Sequence, residues 1–203
     1  MKDSMARVWA WVPMVLAIGV LLASCEEPVY TPKPKGYFRI ELPEKAYQQY
    51  TSTDCPYTFE YPVYGKASRH NTFFGEDVAD ACWLDITIPE LTGEIHLSYK
   101  EINAENTLEK LIEDAHKMAY KHTVKADYID ESVISTPNGM GGMLYELGGN
   151  AASNIQFYVT DSTKHFMRGS LYFGATPNQD SLAPVITFVR TDMLHLIETL
   201  RWQ

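Results

Sequence analysis

The chain has 203 residues, of which 45% are hydrophobic and 21% charged, a balance typical of a folded globular protein and not of a disordered or collagen-like one. Its 26 acidic and 17 basic residues give a formal net charge of −9. We expect no nucleic-acid partner, because such binding needs clustered lysine and arginine to replace condensed counterions.

The chain begins with a short basic segment followed by an apolar run. Lys2 and Arg7 precede sixteen uncharged residues, Val8 to Ala23. This run is shorter than the roughly 20 residues that a membrane span needs, and it has the length and flanks of a secretory signal. The run therefore indicates export from the cytoplasm.

The residues that close this run, Leu22-Ala23-Ser24-Cys25, resemble the lipobox of bacterial lipoproteins. The resemblance implies that residues 1–24 are a signal peptide and that Cys25 receives diacylglycerol through a thioether, with acyl chains such as palmitate. An uncleaved N-terminal anchor helix is the alternative. Both interpretations attach the rest of the chain to a membrane from outside the cytoplasm, and more than one acyl chain would make the anchoring stable.

Residues 25–36 are predicted to be the lipidated cysteine and a tether. Three prolines in this stretch indicate a semi-rigid, extended spacer. Residues 37–203 are then a single globular domain. Cleavage after Ser24 leaves 179 residues with a net charge of −10, and a chain of that size buries about 70% of its unfolded surface.

Two further cysteines, Cys55 and Cys82, suit an oxidising envelope compartment. We predict a disulfide between them, which would stabilise the fold by about 3–4 kcal/mol on the chain-entropy model. The alternative is two free thiols, with Cys82 buried in a strand as a small apolar residue.

Alternating polar and apolar residues predict a series of strands. Thr92-Gly93, Pro137-Asn138-Gly139 and Gly148-Gly149-Asn150 provide turns between several of them. The predicted strands are residues 37–42, 57–61 (short or at an edge), 82–88, 94–99, 128–136, 143–147, 155–160 and 165–173.

Two segments have helical periodicity. Asn106 is placed to cap the first, whose apolar stripe runs from Leu108 to Ala119. Asp180 or Ser181 is placed to cap the last, with Pro184 in its first turn. The order of elements predicts an α+β fold in which a mainly antiparallel sheet is covered by two amphipathic helices, a layout similar to the PsbP-like fold.

No segment has the pattern of a catalytic or metal site. Gly139-Met140-Gly141-Gly142 lacks the lysine of a phosphate loop and fits a turn. Glu113 and His116 are three residues apart on the first helix, but no H-E-x-x-H motif accompanies them. We therefore expect no catalytic residue, no metal ligand, no cofactor and no enzymatic activity.

Two other groups of side chains have open interpretations. His96, His165 and His195 are interpreted as surface or hydrogen-bonded core residues. Six tyrosines between residues 37 and 64 form either a binding face or the polar edge of the core.

The chain resembles the gliding-motility lipoprotein family GldD of Bacteroidota. The resemblance rests on Cys25, the stretch Pro32-Lys-Pro-Lys-Gly-Tyr-Phe-Arg-Ile40, Leu42-Pro43, Cys55-Pro-Tyr-Thr-Phe-Glu-Tyr-Pro62 and Trp83-Leu-Asp-Ile86. It implies a non-enzymatic envelope lipoprotein needed for gliding, with protein partners in the gliding and type IX secretion machinery. Only Cys25 carries over as a functional residue.

We accordingly expect a lipid-anchored protein, at the periplasmic face of the outer membrane rather than at the inner membrane. Its expected role is the assembly or stability of the gliding and secretion apparatus. The alternative is a periplasmic lipoprotein that binds a lipid or a glycan.

Overall fold

The computed structural model describes residues 36–37, 39–69, 72–73, 76–77 and 82–203. Within them, Arg39–Gln203 forms one compact unit. The predicted signal peptide, Cys25 and all of the predicted tether except Gly36 lie outside the described residues.

The described elements are twelve strands and two α-helices, with 3-10 turns at Pro89–Leu91 and Lys121–Val124. The helices are α1 (Leu108–Tyr120) and α2 (Gln179–Thr199). The strands are β1 (Tyr47–Thr51), β2 (Tyr57–Pro62), β3 (Lys66–Arg69), β4 (Thr72–Phe73), β5 (Glu76–Asp77), β6 (Leu84–Ile88), β7 (Gly93–Glu101), β8 (Ala126–Ser135), β9 (Gly141–Gly149), β10 (Ile155–Thr160), β11 (His165–Phe173) and β12 (Arg201–Trp202).

Seven strands form the main sheet in the order β3-β6-β7-β11-β10-β9-β8, and β1-β2-β12 form a smaller sheet. Every pairing between described strands is antiparallel. The predicted α+β fold with a mainly antiparallel sheet and two helices is thus confirmed.

The main sheet has a helix on each face. Successive side chains of its strands point to opposite faces, so both faces present residues that pack against a helix. Ile95 and Leu97 of β7 are buried in the larger core, together with Val189 and Met193 of α2; we call this side the α2 face. On the opposite α1 face, α1 packs into a second core over the far half of the sheet. That core contains Leu111, Ala115, Ala119, Tyr145, Leu147, Tyr158 and Phe166.

The predicted strand over residues 37–42 is wrong. The described residues of this stretch have no strand pairing, and the first strand, β1, begins only at Tyr47. Ile40 and Leu42 are each 40% exposed, so the partial alternation here does not face a core. For the next strand, predicted to be short or at an edge, the structure shows the first alternative, since β2 has six residues and lies between β1 and β12.

Both helices begin at a different residue from the one predicted. Thr107 caps α1, where its side chain accepts a hydrogen bond from the backbone N–H of Lys110. Asn178 caps α2 in the same way through the N–H of Ser181. Pro184 therefore lies inside α2, beyond the first turn. Neighbouring Ser, Thr, Asn and Asp residues compete for the cap position, and the backbone geometry selects one of them.

Candidate functional site

The predicted lipidation site, Cys25, lies outside the described residues, so its role stays a prediction. Cys55 and Cys82 are joined by a disulfide, with their Cα atoms 5.4 Å apart. The bond connects the start of β2 to the residues that precede β6, and so links the two sheets.

The tyrosine-rich stretch lies mainly at the edge of the core. Tyr57 is fully buried, and Tyr50 stacks on Phe59 with ring centroids 5.0 Å apart. Tyr61 packs against the same core. The structure favours the core-edge interpretation of these residues over the binding-face interpretation.

A buried carboxylate on α2 binds two further tyrosines of this stretch, Tyr47 and Tyr64, whereas Tyr37 is 46% exposed. Asp192 is 1% exposed. It accepts hydrogen bonds from Tyr47 Oη at 3.0 Å and Tyr64 Oη at 2.5 Å, and forms an ion pair with Lys45 Nζ at 2.6 Å. Lys45 also lies over the Phe188 ring, 3.7 Å from its centroid. Burial raises the pKa of Tyr47 to about 12, and the hydrogen bond to Asp192 adds to this.

These contacts connect three segments of the chain at one buried carboxylate. Every polar group of the cluster has a partner, and both tyrosine hydroxyls stay protonated at neutral pH. Next to it, His195 stacks on Tyr47 with centroids 3.7 Å apart, and its Nε2 lies 2.7 Å from Glu60 Oε2. The cluster holds β1 and the loop after β2 against α2.

The α1 face carries a second group of charged side chains, beside the area that α1 covers. It consists of Asp85 on β6, Glu94 and His96 on β7, and Arg168 and Tyr172 on β11, and we call it the polar patch. Antiparallel pairing places these residues side by side, since Asp85 is opposite His96 and Glu94 is opposite Tyr172.

His96 is the centre of the polar patch. Its Nδ1 lies 2.5 Å from Asp85 Oδ1, and its Nε2 lies 3.8 Å from Glu94 Oε2. The hydrogen bond to Asp85 raises the pKa of His96, while burial and the nearby charge of Arg168 oppose the rise. The contact with Asp85 thus favours the protonated imidazole.

Arg168 differs from the other charged residues of the polar patch. Burial lowers its pKa, and no described carboxylate forms an ion pair with it. Its Nη2 donates to Gln156 Oε1 at 2.5 Å. Gln156 is itself only 1% exposed, and its Nε2 has no hydrogen-bond partner among the described residues. Arg168 also has a side-chain hydrogen bond with Tyr172, so Gln156 Nε2 is the one donor of this pair that lacks a partner.

The polar patch has the donor atoms of a metal site, but two of them already contact each other. Side-chain atoms of Asp85, Glu94 and His96 lie within 4.8 Å of one another. A cation bound there would have to replace the contact between His96 Nδ1 and Asp85 Oδ1. We assign these residues to an ion-pair network, and the expected absence of a metal ligand stays a prediction.

The other singled-out residues have structural partners. Glu113 pairs with Lys117 at 2.7 Å, whereas His116 lies 3.7 Å from Glu131, so the structure does not use them as a pair. His165 is 6% exposed, and its Nδ1 lies 2.8 Å from Tyr99 Oη.

The sequence matches the family described as gliding motility lipoprotein GldD over residues 27–202. The chain belongs to this family. The family resemblance is confirmed, and a GldD lipoprotein is a membrane-anchored envelope protein associated with gliding motility. Among the described residues, neither helix has the length and apolar character needed to cross a bilayer.

No curated protein matches the chain. Among solved structures, this GldD protein is similar to the solution structure of cyanobacterial PsbP (CyanoP) from Synechocystis sp. PCC 6803. The two share 15% identity with a TM-score of 0.47, over 85% of this chain and 100% of that chain.

Proposed function

We propose that this GldD lipoprotein is a non-enzymatic factor that supports the assembly or stability of the gliding and type IX secretion apparatus. It acts at the periplasmic face of the outer membrane, held there by lipid on Cys25. Its partners are envelope proteins of that machinery.

The observation that carries this proposal is the family match over residues 27–202, which covers nearly the whole chain after the predicted lipid anchor. The side-chain chemistry is compatible with it. Asp192, His195 and His165 each have close partners inside the fold, as polar groups in the interior of a stable domain usually do.

A clean deletion strain tests the proposal. We expect loss of colony spreading, loss of secreted cargo and lower levels of the envelope machinery proteins, all restored by the wild-type gene. Normal spreading together with a normal secreted proteome would contradict the proposal.

A Cys25→Ala variant in the same strain tests the anchor separately. We expect [³H]palmitate labelling and membrane retention to be lost while the domain still folds. Thr53→Ala, a change at an exposed position that leaves the lipobox and the disulfide intact, is the control and should keep its label. Continued labelling of Cys25→Ala would contradict the assigned lipidation site.

A second candidate function, glycan binding, is favoured by Arg168 and the buried Gln156. The side-chain Nε2 of Gln156 has no partner among the described residues, and such a donor beside a charged residue suits the hydroxyl group of a sugar. Native mass spectrometry of the protein purified from its own cells tests this candidate. A bound sugar that Arg168→Leu abolishes would support it, whereas a protein that carries no ligand would remove the support.

A further inference from the structure

Strand β8 is an unusually open edge of the main sheet. It is ten residues long and ends the strand order, so no described strand pairs with one side of its backbone. Six of the residues from Asp127 to Val133 are exposed, and Ile129 is the exception. Natural proteins commonly protect such edges by keeping them short or by placing lysine or proline on them.

The opposite edge of the same sheet shows this protection. Strand β3 has only four residues, and two of them are Lys66 and Arg69. Strand β8 has neither lysine nor proline, and its register is irregular only between Ala126 and Ile129. The stretch from Ile129 to Ser135 is therefore a regular, unprotected edge.

Apolar side chains accompany this open backbone. Val133 is 80% exposed and Tyr128 is 52% exposed, and Val124 in the preceding turn is 86% exposed. Single exposed apolar residues are ordinary. Val133 is opposite Met143 of β9, which packs against the core on the α1 face, so an aliphatic residue of a docked strand would cover Val133 on that face.

The charges of β8 indicate what kind of strand fits. The strand contains Asp127, Asp130 and Glu131 and no basic residue. Its neighbour β9 places Glu146 directly opposite Asp130, so β9 adds a second negative charge there instead of a compensating one. Arg190 pairs with Glu146, and no described base pairs with Asp130.

The same charges disfavour a second copy of this chain. Two β8 strands paired edge to edge would bring together the six carboxylates of the two strands, and like charges across a strand pair are destabilising. A basic strand would instead gain an ion pair opposite Asp130.

We propose that β8 is the docking site for an extended, basic segment of an envelope protein, which adds to the main sheet as an eighth strand. The segment carries lysine or arginine opposite Asp130 and an aliphatic residue opposite Val133. Backbone hydrogen bonds provide affinity, and these two side-chain positions provide specificity. The inference deepens the proposed function, on which the choice of an envelope protein as partner rests.

Synthetic peptides test the docking site on the full lipoprotein in detergent. The probe is a peptide of about nine residues that alternates lysine and valine, long enough to pair along β8. A glutamate–valine peptide of the same length is its control. We expect the lysine peptide to slow hydrogen exchange of the β8 amides by about tenfold at 90% occupancy, and the glutamate peptide to have no effect.

Variants separate the docking site from general charge effects. Asp130→Lys and Val133→Lys should each weaken peptide binding by about fivefold, in line with the loss of one exposed contact. Glu90→Lys and Val63→Lys introduce the same changes at exposed positions away from β8 and should leave binding unchanged. A circular dichroism melt of each variant confirms that it is folded.

Three outcomes would overturn the proposal. They are equal binding of both peptides, protection outside β8, and protection of β8 that rises with protein concentration in the absence of peptide, since the last would make a second copy the occupant. The peptide result does not depend on spreading or secretion. A deletion strain that glides normally would therefore contradict the proposed function without affecting the docking site.

Discussion

Three segments of the chain meet at the carboxylate of Asp192. Lys45 and Tyr47 come from the beginning of β1, Tyr64 comes from the loop after β2, and Asp192 belongs to α2. We expect Asp192→Ala to lower the free energy of unfolding by about 3 kcal/mol, because it leaves a cation and two hydroxyls without their acceptor. Urea denaturation measures this loss.

The comparison with two other variants makes the Asp192 prediction specific. Asp192→Asn keeps an acceptor oxygen and should cost less than Asp192→Ala. Asp130→Ala removes an exposed carboxylate and should change stability by less than about 0.5 kcal/mol. Equal losses of unfolding free energy for Asp192→Ala and Asp130→Ala would show that the buried contacts of Asp192 do not stabilise the fold.

The ion pair between His96 and Asp85 predicts a pH dependence. Because the pKa of His96 is raised in the folded state, its contribution to stability is fully present below the unfolded pKa near 6.5. The contribution is lost as pH rises through the folded pKa. We expect the difference in unfolding free energy between wild type and His96→Gln to shrink across that interval.

Other histidines change stability with pH in the opposite direction. The pH dependence of wild type therefore has to be compared with that of His96→Gln. Burial lowers the pKa of His122 and of His165, and their contributions weaken as pH falls. Both proteins contain these residues, and their difference isolates His96. An NMR titration should place the pKa of His96 above 6.5; a lower value would contradict the ion pair.

At the scale of elements, the disulfide joins segments that no strand pairing connects directly. It links the start of β2, in the small sheet, to the residues before β6, in the main sheet. Since 27 positions separate the two cysteines, we expect Cys55→Ala/Cys82→Ala to lose about 3–4 kcal/mol of stability, mainly through a less constrained unfolded chain.

A chemical control accompanies the disulfide prediction. Reduction of the wild-type protein should lower its urea midpoint to about that of the double variant. The reductant should not change the midpoint of the double variant. An unchanged midpoint after complete reduction, monitored by thiol titration, would show that the bond does not stabilise the fold.

The sequence predicts best those elements whose two faces differ most. In β7, apolar Ile95 and Leu97 alternate with polar His96 and Ser98, and the strand lies where the alternation predicts it. β12 has only two residues, Arg201 and Trp202, too few for any period. It forms because β2, which pairs with β1 on one side, can pair with a further strand on its other side.

The functional clusters were less predictable for a physical reason. Asp192 is a buried residue of α2, next to the apolar Met193. An acidic residue among the apolar positions of this helix is the one feature of the sequence that indicates the cluster. Alternation alone makes Gln156 a solvent-facing residue of β10, yet it is 1% exposed. The depth of a polar position depends on what packs over the strand, and that tertiary contact has no local signature.

At the scale of the whole molecule, residues 200–203, which follow α2, contact both sheets. Leu200 is fully buried in the larger core. Trp202 is opposite Tyr57 of β2 and stacks on His165 of β11, with ring centroids 5.0 Å apart. The backbone N–H of Gln203 donates to Pro56 O at 3.0 Å. These few residues therefore contact the small sheet, the main sheet and the core.

We expect removal of residues 200–203 to destabilise the domain by at least about 3 kcal/mol, because loss of a fully buried leucine alone costs about 2–5 kcal/mol. Removal of Gln203 only, which deletes one backbone hydrogen bond, should cost about 1 kcal/mol. Thermal and urea unfolding of both truncations measure the difference. If both truncations unfolded at the same midpoint, the contacts of Leu200 and Trp202 would not be what connects the two sheets.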